Sequence, residues 1–162
     1  MLESILITKK GSVIPPLDAY RYYRMWIMGR NESAAITVGE WELYDNQGVN
    51  RALGKAASAS NQEFGNASAA FDGIVPATLA QPRWQTNQPG TQWLSVDLGA
   101  EYGIIKASLY CDSSQIQNYN EYSPNTWLFQ GSKNGIDWVD ILSVASYTSA
   151  LWASKRRHDW DF

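Results

Sequence analysis

The chain has 162 residues, 44% apolar and 18% charged, with 13 Lys and Arg against 16 Asp and Glu for a net charge of -3. That length supports one sizeable core, and two independent domains would each be small for stability. The charge balance offers no basic field to nucleic-acid phosphates or anionic lipid, Cys111 as sole cysteine excludes an intramolecular disulfide or a cysteine-rich zinc site, and no apolar run is long enough to span a bilayer.

Residues 1–18 read MLESILITKKGSVIPPLD. Glu3 and the Lys9-Lys10 pair interrupt any apolar stretch, so no signal peptide is expected there. Pro15-Pro16 fixes φ twice and removes two backbone donors, which predicts an N-terminal arm outside the folded body. Within that arm SILIT is β-forming and uncharged, suited to joining the sheet edge of another copy in a homo-oligomer; a loosely ordered terminus is the alternative.

Residues 19–45, AYRYYRMWIMGRNESAAITVGEWELYD, are aromatic and β-branched without proline, and the polar break at Gly29 to Ser33 predicts two strands joined by a turn. In WLSVDLG, Leu94, Val96 and Leu98 fall on one face and Trp93, Ser95 and Asp97 on the other, the period of a half-buried strand. GIIKASLY places Ile105, Ala107 and Leu109 together. TWLFQGSKNGIDWVDIL predicts two strands around Asn134-Gly135, a pair that tolerates the positive φ of a hairpin turn. Six or more short strands with polar loops and little helix indicate an all-β sandwich, with a jelly roll as the leading topology.

Eight Trp and nine Tyr are many for a core of this size. Trp93, Trp127 and Trp138 lie in predicted strands and read as core or face-packing residues. Loop aromatics are the better candidates for a ligand platform: Tyr119 and Tyr122 stand beside Asn118, Asn120 and Glu121, and Phe64 stands between Asn61 and Asn66. An aromatic ring beside planar amides suits the apolar face and the hydroxyls of a sugar; a tyrosine-rich loop equally suits a subunit contact. Neither Asn31-Glu32-Ser33 nor Asn66-Ala67-Ser68 is read as a glycosylated site. His158 is the sole histidine, and no nucleophile motif surrounds a serine. Glu40 and Glu42 share a strand face, but a non-enzyme is the expectation.

KAASAS, ASAAFDG, TQWLSVDLG and NTWLFQGSKNGIDWVDIL, in that order over residues 55–142, resemble the discoidin family, the coagulation-factor C-type domains related to galactose-binding carbohydrate-binding modules. The resemblance implies an eight-stranded jelly roll, galactose-binding domain-like, with a structural calcium ion and loops at one end that bind sugars, lipids or proteins. It places the calcium ligands at Ala69, Asp72, Ile74 and Thr78, with Gly39 and Glu40 from the first strands; two carboxylates, a hydroxyl and carbonyls meet the ion's demand for oxygen. Asp72 as a turn residue capping local amides is the alternative. The family's galactose pattern carries an Arg where this chain has Cys111.

In bacterial and phage relatives a segment like residues 20–45 follows the QGS hairpin and closes the sandwich. Here it comes first, so either residues 19–162 form one circularly permuted sandwich or residues 20–45 finish another copy of the fold. The missing disulfide and signal favour a phage or bacterial origin. Two functions are open: a virion-associated adhesin, on a phage tail or capsid, that recognises cell-surface glycan; or a structural capsid, tail or decoration protein that assembles with other virion proteins and takes no sugar.

Overall fold

The computed structural model describes residues 18–31, 35–76, 81–111, 122–153 and 157–162. The arm over residues 1–17 lies outside them.

Among the described residues ten strands make three antiparallel sheets. The largest has the order β4 (Ala56–Ala59), β6 (Gln92–Tyr102), β1 (Tyr20–Arg30), β8 (Pro124–Ser132), β9 (Val139–Val144). Opposite it stands β10 (Arg157–Asp161), β7 (Ile104–Tyr110), β3 (Glu40–Asp45), and a small sheet pairs β2 (Ile36–Val38) with β5 (Trp84–Thr86). This is the all-β sandwich that the period-two patterns indicate.

β1 is not an appendage but the central strand of the five, with Trp26 opposite Trp93 on one side and Leu128 on the other. Its alternation explains that position. Tyr23, Met25 and Ile27 are buried, as are Leu94, Val96 and Leu98 of β6, while Trp41 and Leu43 of β3 and Ala107 and Leu109 of β7 close the core from the facing sheet. Trp41 meets Phe129 across the two layers at 5.8 Å between ring centres. Each such large apolar side chain, fully buried, contributes about 1.5–3 kcal/mol. Trp127 lies at the centre of an aromatic cluster, against Phe129, Tyr147, Trp152 and Trp160.

Two local expectations are corrected. The β8–β9 connection is a broader loop than a two-residue hairpin: Gly135 takes φ 75°, but the Asn134 side chain folds the turn by accepting from Ile136 N and Asp137 N, both at 2.9 Å. Trp138, expected in a strand, lies one residue before β9; of the three tryptophans expected as core or face-packing, Trp127 is core. Trp93 and Trp138 are half-buried on the outer side of the five-stranded sheet, outside the core cluster. A short helix, α1 (Ser149–Ala153), and a 3-10 helix over Ala67–Phe71 complete the described elements. No helix among the described residues is long and apolar enough to cross a membrane.

Candidate functional site

The two-stranded β2–β5 sheet continues on both flanks into loop residues. Phe64 and Gln85 exchange backbone bonds at 3.3 and 3.0 Å, Gln85 pairs with Thr37, and Thr37 N donates to Tyr122 O at 2.7 Å. Phe64, Gln85, Thr37 and Tyr122 therefore form one row across four chain segments. At about 4.8 Å per step the backbones of its two end residues stand roughly 14 Å apart. Both ends are open: Phe64 is 53% and Tyr122 37% exposed.

Between them Arg83 Nε donates to Gln85 Oε1 at 3.2 Å, which aligns a guanidinium with an amide. Behind this row, Trp84 anchors the sheet, fully buried and donating from Nε1 to Asn61 O at 2.8 Å. Gly65 turns the chain after Phe64 with φ 68°, and a Cβ there would collide with the Arg83 carbonyl, so no other residue lets the Phe64 segment pass so close to β5. Asn66 then caps the 3-10 helix, its side-chain oxygen accepting from Ala69 N at 3.1 Å. A row with an exposed aromatic residue at each end and the Arg83–Gln85 pair beside Phe64 holds the donors, acceptors and apolar faces that a hydroxyl-bearing ring requires.

The structure thus joins two of the sequence-derived ligand residues, Phe64 and Tyr122, in one row; Asn118, Tyr119 and Asn120 lie outside the described residues. Sequence reasoning missed Arg83 and Gln85. Their signal was present, since in PRWQT they alternate with Trp84 and Thr86, the period of a strand with one polar face.

The candidate metal centre lies at the start of β3. Glu40 is 0% exposed; its Oε1 accepts from Gly73 N at 3.2 Å, and its Oε2 is buried without a hydrogen-bond partner. Burial pushes its carboxyl up to about 8, with the neighbouring charges of Asp72 and Glu42 adding to the shift. Asp72 Oδ1 accepts from Ile74 N at 2.8 Å, so the turn-capping role is present and takes one of its oxygens. No group of three His, Cys, Asp or Glu among the described residues converges as a metal site, so a calcium ion would need carbonyl oxygens from Gly39, Ala69 and Ile74 beside the two carboxylates. A buried carboxylate oxygen without a hydrogen-bond partner among the described residues is the donor type a hard cation takes. Thr78 lies outside the described residues.

The remaining chemistry-bearing residues are occupied structurally. His158 is 1% exposed, its Nδ1 lies 2.7 Å from Tyr147 Oη, and Trp152 packs against its ring at 4.5 Å. Cys111 is buried at 6% exposure. Glu42 Oε2 lies 3.9 Å from Arg157 Nη2.

The family model described as NedA-like, galactose-binding domain matches residues 69–159, more than half of the chain. No curated protein and no solved structure matches it.

Proposed function

The chain belongs to the NedA-like galactose-binding domain family, and from that premise we propose that it is a non-catalytic carbohydrate-binding module whose ligand sits on the Phe64–Tyr122 row. Domains of this type are binding modules that take glycans as partners. The observation that carries the reading is that row itself: exposed Phe64 and Tyr122 at its two ends, with Gln85, bonded to Arg83, beside Phe64 and buried Thr37 beside Tyr122. The rings stack on the apolar faces of a sugar, while the guanidinium and amide take its hydroxyls. With Cys111 buried where galactose-binding relatives carry Arg, Arg83 supplies the guanidinium, and the preferred sugar need not be galactose.

Glu40 and Asp72, with the carbonyls of Gly39, Ala69 and Ile74, would hold a calcium ion, whose charge would neutralise a buried carboxylate and tie Asp72 at the end of the 3-10 helix to β3. On this reading residues 20–45 are the family's closing strands placed first in a single permuted domain, and the module is carried on a phage particle, as a tail or capsid adhesin for cell-surface glycan. The sole cysteine suits a protein that assembles without disulfides.

A second reading, virion assembly without a sugar, is favoured by the margin of the large sheet, where Ile136 and Val139 are 78% and 51% exposed beside the edge strand β9. Retention on immobilised oligosaccharides separates the two. Retention that Tyr122→Ala weakens supports the module; no retention, with a concentration-dependent oligomer that Val139→Lys dissociates, supports assembly.

A further inference from the structure

The outer side of the five-stranded sheet carries a second constellation, built from residues of β1, β6, β8 and β9 together with Trp138 just before β9. Trp26 of β1 stands opposite Trp93 of β6, and Arg24 follows two residues earlier on the same side of β1. The Arg24 guanidinium lies 4.5 Å from the Trp26 ring and 4.0 Å from the Trp138 ring, so the two indoles clamp it. Arg24 Nε donates to Gln130 Oε1 at 2.6 Å, and Gln130 Nε2 donates to Asp140 Oδ1 at 2.5 Å.

Three features set this face apart from ordinary sheet packing. First, Trp26, Trp93 and Trp138 are outside the core cluster and make no ring-to-ring contact among the described residues, whereas Phe71, Trp41, Phe129, Trp127, Trp152 and Trp160 are joined in a continuous network. Second, their indole N–H groups meet no protein acceptor among the described residues and stay open to solvent, whereas in the core those of Trp84 and Trp152 donate to Asn61 O and Pro124 O, each at 2.8 Å, and those of Trp41 and Trp127 are buried without a partner among the described residues. Third, the polar relay between them is open at both ends: the Arg24 Nη groups have no acceptor and Asp140 Oδ2 has no donor among the described residues.

A donor-only group and an acceptor-only group joined through one amide match nearby hydroxyls of a sugar, each of which donates and accepts. Adjacent indoles, rigid and half-buried, match successive apolar ring faces. A protein partner would want a continuous apolar centre with charge at the rim; here the charge lies between the tryptophans. We infer that this sheet face is a second carbohydrate subsite that takes a linear, neutral glycan chain, with sugar rings on Trp26 and Trp93 and hydroxyls bonded by Arg24 and Asp140. The inference rests on the carbohydrate-binding reading but not on the loop row.

The test uses the full chain on a printed array of neutral mono- to hexasaccharides. The subsite predicts binding that strengthens with chain length, persists in the Phe64→Ala/Tyr122→Ala double variant, and falls at least ten-fold in Trp93→Ala and in Arg24→Gln. Because a strand variant can disturb folding, the indole N–H resonances of the native protein give a second readout. On adding a hexasaccharide, three surface indole signals, identified by loss in Trp26→Phe, Trp93→Phe and Trp138→Phe, should shift while that of Trp84 stays still. Binding lost in the double loop variant and kept in Trp93→Ala and Arg24→Gln overturns the sheet subsite alone. Absence of binding to any glycan overturns the carbohydrate reading with it, and a dimer abolished by Trp93→Ala would reassign the face to a protein contact.

Discussion

The buried carboxylate of Glu40 lies in the field of Asp72, and each keeps one oxygen without a hydrogen-bond donor among the described residues. A buried, unpaired carboxylate is costly, and a cation bound only to the native state removes that cost by mass action. At a hundred-fold excess over its Kd, calcium should stabilise by about 2.7 kcal/mol, or roughly 5–10 °C in Tm for a chain of this size. Differential scanning fluorimetry with calcium against chelator checks this. Glu40→Gln should abolish the calcium response while leaving the chelated protein at least as stable as the native one.

The same carboxyl gives the pH dependence a sign. Glu40 has its folded-state value raised from 4.5 to about 8, so below 4.5 it is neutral in both states. As the pH climbs from there to 8, the unfolded chain ionises and the folded one holds its proton, so stability is lost across that window. Asp45, Asp97 and Asp159, all lowered from 3.8, act below it. Without calcium, Tm should fall between pH 5 and pH 8. Calcium should stabilise more at pH 8 than at pH 5, and a flat profile in Glu40→Gln would assign the slope to this residue.

Gly131 of β8 lies under the ring of Tyr20, where a Cβ would collide with the ring carbons. The glycine of the QGS motif therefore has its reason in β1, a strand 108 positions earlier in register terms at Tyr23↔Gly131 (131 − 23). Gly131→Ala should cost about 1–3 kcal/mol by overpacking, read from urea denaturation, with most of the loss absent in a Tyr20→Ala background.

Three chain points converge on the β6–β7 turn. Tyr20 pairs with Tyr102, Asp45 pairs with Ile104, and Phe162 N donates to Ile105 O at 2.8 Å. A permutant that joins Phe162 to Asp18 by a short linker and opens the chain between Asp45 and Asn50 should keep the native fold, since no strand changes partner. Its near-ultraviolet circular dichroism should match that of the native order, and loss of that signal would count against residues 20–45 as relocated closing strands.

Much of this was legible because period-two alternation records burial directly. Leu94, Val96 and Leu98 were assigned inward from the sequence and are at most 1% exposed. The four family motifs point to the same sandwich. What alternation could not show is which outward face remains open. Trp93, expected as core or face-packing, turns out of the core, and only the register that sets it opposite Trp26, whose ring meets Arg24, shows indoles without a ring partner among the described residues. Arg83 and Gln85 escaped notice for a similar reason: β5 is three residues long, too short for its pattern to stand out until Phe64 and Tyr122 flank it.

The most direct test of the central claim is the affinity of the full chain for a glycan identified on the array, measured by isothermal titration calorimetry for the native protein and for Phe64→Ala and Tyr122→Ala. Each truncation removes one exposed ring from the row and should cost about 1–3 kcal/mol of binding, the scale of a well-placed interface aromatic, with Tm unchanged because neither ring is core. Native affinity in both variants for a mono- or disaccharide, at full stability, would contradict the account and place sugar recognition away from the Phe64–Tyr122 row.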